Sequence, residues 1–236
     1  MKISIITLFP SMISGFLNES ILKRAQEKKL VEIEVINLRD FAVDDYGTVD
    51  DRPYGGGAGM VLRVDVIYKA LQKVKFQKSR PKIDRPLAEK IVLTSARGKT
   101  YKQSVAQEYS KLDHLIIIAG HYEGVDERVL EYVDEEISVG DYVLTGGELP
   151  ACIIADSIIR LVPGVLKKEE ATQLESFSKI DGKILLEYPQ YTRPEIFEGK
   201  KVPEILLSGN HKNVDDWRKE QALQITKNKR PDLLYK

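Results

Sequence analysis

Two glycine-containing loops carry the residues whose types and spacing best suit chemistry. Residues 120–128 read Gly-His-Tyr-Glu-Gly-Val-Asp-Glu-Arg and directly follow the apolar run 115–119. Residues 139–150 read Val-Gly-Asp-Tyr-Val-Leu-Thr-Gly-Gly-Glu-Leu-Pro. Glycine lets the backbone approach a ligand closely, and loops that follow buried strands are where α/β proteins place their sites. We therefore interpret the two loops as walls of one small-molecule pocket.

Two segments resemble phosphate-binding motifs, but each lacks one glycine that its motif requires. Residues 97–100 (Arg-Gly-Lys-Thr) resemble the end of a P-loop, but Leu93 stands where that motif needs a glycine. We interpret them as a polar helix start. The glycine cluster at 55–59 misses the dinucleotide fingerprint because its third glycine is replaced by Met60. A pocket without a phosphate cradle suits an uncharged or cationic nucleoside cofactor. The alternative is a pocket of unknown use.

The spacing of possible metal ligands and of possible nucleophiles indicates neither a metal site nor a hydrolase. Three scattered histidines and one cysteine offer no ligand pattern, so no metal is expected. The sequence has no G-x-S-x-G elbow, which argues against a hydrolase triad.

The elements that must position the loops alternate between strands and helices. Strands are predicted at residues 3–9, 32–38, 91–93, 115–119 and 136–139. Helices are predicted at residues 11–29, 64–74, 100–112, 125–133 and 149–161. The wholly apolar run 115–119 is typical of a central strand covered on both faces. This alternation predicts an α/β fold, a mostly parallel sheet with helices on both faces.

The remaining segments have no regular pattern of apolar residues. Residues 40–60 form a long loop, and loops of this length usually have a function. The basic stretch 75–86 is a surface connection, and the polar stretch 167–183 is a flexible linker or a loop that orders on binding. Asp215 or Asp216 is predicted to cap a helix over residues 217–229. We expect a small, mostly helical C-terminal domain after the linker.

Charge and cysteine content limit the location and the partners. The net charge of the 236 residues is zero, but residues 218–236 hold six basic side chains against two acids. This basic end is compatible with RNA phosphates, although a solvated helix face is the plainer interpretation. The single cysteine, Cys152, allows no internal disulfide and is interpreted as core filler. Without a signal peptide or a membrane-length apolar run, we expect a cytoplasmic protein that does not bind membranes.

Several long tracts together resemble a known family. The chain is similar to the bacterial tRNA (guanine-N1)-methyltransferase family TrmD, of the SPOUT class. The resemblance runs in order along nearly the whole chain, in residues 37–41, 49–60, 120–128, 140–150, 187–194, 202–211 and 230–234.

The resemblance implies a fold, a cofactor and a substrate that spacing alone does not give. It implies a deep trefoil knot in the sheet domain, with S-adenosylmethionine held there. It implies methyl transfer to N1 of guanosine at tRNA position 37, next to the anticodon. It implies a homodimer whose sites are shared between subunits. We expect a knotted cofactor-binding domain (residues 1–164), a flexible linker (165–186) and a C-terminal tRNA-binding domain (187–236).

The resemblance also assigns roles to residues. Glu175 is the general base and Arg160 the cation near guanine O6. Without the family, they would be interpreted as a solvated linker acid and a helix-end residue. The cofactor-binding residues are Thr94, Ser95, Gly120, Tyr122, Glu123, Ile137, Ser138, Val139, Gly140, Tyr142, Leu144, Gly146, Gly147 and Pro150. The tRNA-binding residues are Lys212, Arg218, Lys219, Lys227, Lys229 and Arg230.

Two alternatives remain open at this point. Glu175 stands where the family usually has an aspartate, and residues 178–186 carry a few extra positions, so Asp181 is a rival for the base. A non-catalytic RNA-binding protein with a knotted fold is the rival function, although simple RNA binding would not need the glycine loops.

Overall fold

The computed structural model describes residues 1–75, 88–167, 172 and 174–235. The predicted connection at 75–86 lies outside the described residues except for Lys75, as does part of the predicted linker. The chain divides into two compact units, Met1–Lys167 and Lys168–Lys236.

The first unit contains a five-stranded, wholly parallel sheet in the order β2-β1-β6-β5-β7. Its strands are β1 (Lys2–Thr7), β2 (Glu32–Asn37), β5 (Glu89–Thr100), β6 (His114–Ala119) and β7 (Glu135–Ser138), and a separate short pair is formed by β3 (Asp50–Asp51) and β4 (Val61–Leu62). Its helices are α1 (Pro10–Leu17), α2 (Ser20–Glu27), α3 (Val64–Val74), α4 (Gln103–Tyr109) and α5 (Glu148–Ile159), with 3-10 turns at Leu38–Phe41 and Glu127–Tyr132.

Alternating side chains of the central strands supply a core on each face of the sheet. On β6, Leu115 and Ile117 pack with residues of α1, α2, α4 and α5. Ile116 and Ile118 point to the other face, where they pack with α3 and the 3-10 turns. A strand whose side chains are buried on both faces must be apolar throughout, because successive side chains alternate between faces. The predicted central strand and the parallel α/β sheet are confirmed.

Three local predictions are wrong for identifiable reasons. The single helix expected over residues 11–29 is two helices, α1 and α2, and Ser20, the first residue of α2, has a left-handed φ of 51°. The polar helix start at residues 97–100 is instead the end of β5, where Lys99 pairs with Ile137 of β7. The final helix begins earlier than predicted because the Asn210 side chain accepts a hydrogen bond from the N–H of Asn213.

The second unit combines helices with two β-hairpins. Its elements are β8 (Ser178–Ile180), β9 (Lys183–Leu185), β10 (Ile196–Phe197), β11 (Lys200–Lys201), α6 (Glu204–Leu207), α7 (His211–Lys229) and a 3-10 turn at Pro231–Tyr235. Residues 178–183 of the polar stretch, which was expected to be a flexible linker or a loop that orders on binding, belong to the β8–β9 hairpin. Thr226 of α7 anchors the chain after β9, since its hydroxyl accepts a 2.8 Å bond from the N–H of Leu186.

Candidate functional site

A cavity of about 470 Å³ lies at the carboxyl ends of β6 and β7 and beside residues 93–97 of β5. This edge of a parallel sheet is where open α/β folds bind ligands. The two glycine loops of the sequence analysis both contribute to its wall. The structure places every residue that the resemblance assigned to the cofactor in this wall, from Thr94 on β5 to Pro150 on α5.

Backbone contacts join the two loops to each other. The N–H of Gly147 donates a 2.6 Å hydrogen bond to the carbonyl of Gly120, and His121 forms an antiparallel bridge with Gly146. A Cβ on Gly147 would lie 2.8 Å from the backbone nitrogen of Gly120 and would also meet the Thr94 hydroxyl. The backbone φ of Gly147 is −86°, which any residue adopts. Close approach of the two loops, and not an unusual dihedral angle, therefore requires glycine here.

The glycine-rich loop at 53–60 packs beside the first of these loops. The N–H of Glu123 donates a 3.1 Å bond to the carbonyl of Met60, and the N–H of Leu62 donates a 3.0 Å bond to the carbonyl of Gly124. Gly59 has a φ of 81°, and a Cβ there would collide with the Glu123 side chain. The long loop of the sequence analysis thus supports a wall of the cavity.

Charge around the cavity is mainly negative. Three carboxylates, those of Glu123, Glu127 and Glu136, stand against one arginine, Arg97, among the described lining residues. Arg97 Nη2 lies 2.9 Å from Glu127 Oε2 and 3.6 Å from Glu136 Oε1. The hydrogen bond that Arg97 donates to Glu127, with the nearby charge of Glu136, raises the pKa of Arg97. Oε1 of Glu136 is buried and accepts no hydrogen bond within the part of the chain that is described.

The residues assigned to the cofactor omit four titratable lining residues, Arg97, His121, Glu127 and Glu136. Arg97 was interpreted as part of a helix start, and Glu136 lies on β7, where it was treated as ordinary strand sequence. His121 stands inside the first glycine loop, so its place in that loop was a usable signal. The cysteine prediction holds, because Cys152 is buried in the core and its burial raises the pKa of its thiol to about 11.

Neither residue assigned to catalysis lines the cavity. Arg160 lies elsewhere in the first unit, and Glu175 belongs to the second unit. Arg160 is the C-terminal cap of α5, whereas Gly147 caps its other end. A helix of this length spans about 18 Å, so Arg160 does not meet the glycine loops within its own unit. Glu175 belongs to the second unit, where its carbonyl accepts a 3.0 Å bond from the N–H of Ser178. Asp181 is exposed at the turn of the β8–β9 hairpin.

The six basic residues assigned to tRNA lie on α7 or at its end. Lys212, Lys219, Lys227 and Lys229 are exposed. The two arginines are already engaged by neighbours. Arg218 lies over the Tyr188 ring, with 5.0 Å between its guanidinium carbon and the ring centroid. Arg230 makes two 2.8 Å bonds to Asp232, and the carboxylate raises its pKa.

The described residues offer neither a metal site nor a membrane-spanning helix. Within the described residues, His, Cys, Asp and Glu side chains form no group of three or more that could hold a metal ion. None of the helices in that part of the chain combines the length and the apolar character needed to cross a membrane.

Comparison with known proteins decides the family. A family model described as tRNA (Guanine-1)-methyltransferase TrmD matches residues 1–236. The chain belongs to this family. Among curated members, a tRNA (guanine-N(1)-)-methyltransferase of Dictyoglomus turgidum is 52% identical over 236 residues, covering 100% of this chain and 91% of its own. Proteins with the same name from Staphylococcus carnosus and Clostridium botulinum are 50% and 52% identical, covering 100% and 99% of this chain and 91% and 92% of their own.

Proposed function

We propose that this chain is an enzyme that transfers a methyl group from S-adenosylmethionine to N1 of guanosine at position 37 of tRNA, next to the anticodon. The observation that carries the proposal is the match of all 236 residues to a family of tRNA (guanine-N1)-methyltransferases. The cavity between the glycine loops supports it. The cavity argues against the non-catalytic alternative, because an RNA-binding module has no need of it.

The residues that line the cavity fit the proposed cofactor. Backbone groups of the loops can read an adenine edge, and the walls contain no phosphate-binding loop. The excess of carboxylates suits a ligand that carries positive charge on a sulfonium and an amino group. The fourteen residues assigned to the cofactor above, the first of which is Thr94 and the last Pro150, would hold it. When bound, S-adenosylmethionine supplies an electrophilic methyl group with its own leaving group.

The protein's contribution to the reaction is proton removal and charge stabilisation. Guanine N1 carries a proton at neutral pH, so a base must accept it, and we assign this role to Glu175. Negative charge then spreads to guanine O6, where the Arg160 guanidinium would stabilise it.

The proposed assembly is a homodimer in which each site takes Glu175 from the partner. An exposed apolar surface on the first unit supports it. Met12 and Phe16 are one helical turn apart on α1, and Leu149 and Ile153 are one turn apart on α5, which packs against α1. All four side chains are about half exposed. Large apolar side chains gathered on a surface mark interaction sites. We infer that this surface is covered by a second copy of the chain.

We also propose that residues of the first unit form the family's trefoil knot. Two contacts support this inference. The loop before α5 fits closely against Gly120, and α5 packs back onto β1 and β6. The domain roles follow, with cofactor binding in residues 1–164, a linker at 165–186 and tRNA binding in residues 187–236. We place the activity in the cytoplasm. A chain with one cysteine forms no internal disulfide, so a reducing compartment suits it.

Mixing two inactive variants tests whether sites are shared. A Gly147→Val subunit lacks a cofactor pocket, and a Glu175→Gln subunit lacks the base. In a heterodimer with shared sites, one site combines a wild-type pocket with a wild-type Glu175. Co-expression with two affinity tags isolates this heterodimer. We expect its single-turnover activity to return to about half that of the wild type, whereas Gly147→Val alone stays inactive and Glu175→Gln alone keeps only its residual rate, about 10²- to 10⁴-fold below the wild type. No recovery in the isolated heterodimer would contradict shared sites.

Salt dependence tests the role of α7. Each phosphate neutralised contributes about 0.7–0.9 to the log–log slope of tRNA affinity against salt concentration. Replacing Lys227, Lys229 and Arg230 with alanine is expected to weaken tRNA binding and to reduce the slope by about 2 to 3. Cofactor affinity should not change.

A charge-matched control separates contact from net charge. Replacing the exposed residues Lys23 and Arg24 of α2 and Lys28, which caps its C-terminal end, with alanine removes the same charge from the first unit. Its slope is expected to stay near that of the wild type. Equal slopes for both triple variants would show that the basic residues of α7 are only a solvated face.

A further inference from the structure

A buried polar chain joins the first strand to both glycine loops. The Thr7 hydroxyl, at the end of β1, donates a 2.9 Å hydrogen bond to Glu148 Oε1. The other carboxyl oxygen, Glu148 Oε2, lies 3.3 Å from His121 Nδ1. Thr7 and Glu148 are 0% and 1% exposed, and the side chain of His121 is 15% exposed. The three residues come from parts of the chain up to 141 residues apart.

The carboxylate at the centre of this polar series fixes the direction of each hydrogen bond. A carboxylate accepts at both oxygens, so Thr7 donates from its hydroxyl and His121 donates from Nδ1. Thr7 in turn accepts a 3.0 Å bond from the N–H of Phe9, whose ring lies 4.6 Å from the imidazole. His121 is thereby held by a carboxylate at Nδ1 and by packing against a tilted aromatic ring.

Of the three hydrogen-bonded residues Thr7, Glu148 and His121, His121 alone lines the cavity. Thr7 and Glu148 do not touch it. His121 also bridges Gly146, next to the Gly147–Gly120 hydrogen bond. Its ring position therefore affects how the two loops meet. A buried carboxylate that has lost its water needs these partners, because an unpaired buried charge is costly.

We propose that Thr7, Glu148 and His121 are positioning residues that hold the two glycine loops in the geometry that binds the cofactor. The inference rests on the cofactor proposed above. Neither Thr7 nor Glu148 contacts the ligand, and both act through His121. These hydrogen bonds join groups of the protein alone, so we infer that they order the two loops independently of the ligand and leave little ordering for binding to impose.

The first unit offers a matched control on the same strand. Ser4 of β1 is also buried, and its hydroxyl lies 2.9 Å from His114 Nε2, while His114 Nδ1 lies 2.7 Å from Glu89 Oε2. This second hydroxyl–histidine–carboxylate chain lies near the opposite end of the strands, away from the cavity lining. A buried hydroxyl is lost from β1 in either Thr7→Val or Ser4→Ala, but only Thr7 is connected to the glycine loops.

Calorimetry with S-adenosylmethionine tests the proposal. Thr7→Val is expected to weaken cofactor affinity about 3- to 10-fold, because it removes a hydrogen bond to a charged group. Thr7→Ser keeps the hydroxyl and should recover most of that affinity. Ser4→Ala should lower the unfolding midpoint and leave the affinity unchanged. Equal affinity in Thr7→Val and Ser4→Ala would overturn the proposal. Failure of the wild type to bind would instead overturn the proposed cofactor.

Nitrogen-15 spectra of the histidine rings give a second measurement that needs no cofactor. In the wild type we expect the His121 ring to carry its proton on Nδ1. Glu148→Gln, which keeps the side-chain shape, is expected to shift the His121 ring signals while those of His114 stay in place. An unchanged His121 signal in a folded Glu148→Gln protein would show that Glu148 does not hold the ring.

Discussion

Replacing Glu175 with glutamine is expected to slow single-turnover methyl transfer by about 10²- to 10⁴-fold, the usual contribution of a general base. Glutamine keeps the shape of the side chain and removes the oxygen that accepts the N1 proton. Both ligands should still bind with affinities near those of the wild type. Rapid-quench measurement of labelled methyl groups, with enzyme in excess over tRNA, isolates the chemical step from product release.

Asp181→Asn is the matched control for this result. Asp181 has a φ of 48° and is followed by Gly182 with a φ of 81°, the dihedral angles of a tight hairpin turn. Asparagine adopts such angles readily, so this variant should fold normally and keep its rate. A large loss in Asp181→Asn with little loss in Glu175→Gln would transfer the role of base to Asp181.

Replacing Gly147 is expected to abolish cofactor binding. A side chain at this position would force the Gly147 backbone away from Gly120 and Thr94, and so would break the 2.6 Å hydrogen bond that joins the glycine loops. Gly147→Val should show no heat of binding with S-adenosylmethionine and no methyl transfer. The smaller Gly147→Ala change should weaken binding by at least about tenfold, through the same clash.

Gly15 provides the control for a lost glycine. It lies within α1, and a Cβ there would meet no atom within 4 Å. Gly15→Ala should bind the cofactor normally and should stabilise the helix slightly. Normal affinity in a folded Gly147→Val protein would show that the cofactor binds elsewhere.

Patterns local in the sequence predicted much of this fold. The apolar run at 115–119 identified the central strand, and α3 begins and ends where its helical period predicts. The glycine loops indicated the pocket correctly, because both follow strands whose carboxyl ends meet at one edge of the sheet. These features depend on neighbouring residues alone, which is why the sequence reveals them.

Features that depend on distant partners were not predictable. Residues 97–100 are polar, and they extend β5 only because β7 is there to pair with them. The strands of the hairpin at Ser178–Leu185 are only three residues long, too short to show an alternation of apolar residues, although Asp181-Gly182 is a recognisable hairpin turn that the sequence analysis overlooked. Glu148 reads as an ordinary first-turn acid of a helix, and its hydrogen bond to Thr7 joins residues 141 positions apart.

Methyl transfer to tRNA transcripts that differ only at position 37 tests the central proposal most directly. Purified protein, labelled S-adenosylmethionine and two transcripts, one with guanosine and one with adenosine at that position, are sufficient. We predict 1-methylguanosine in the first transcript and no label in the second. Label of equal amount in both transcripts, or none in either, would contradict the proposed reaction.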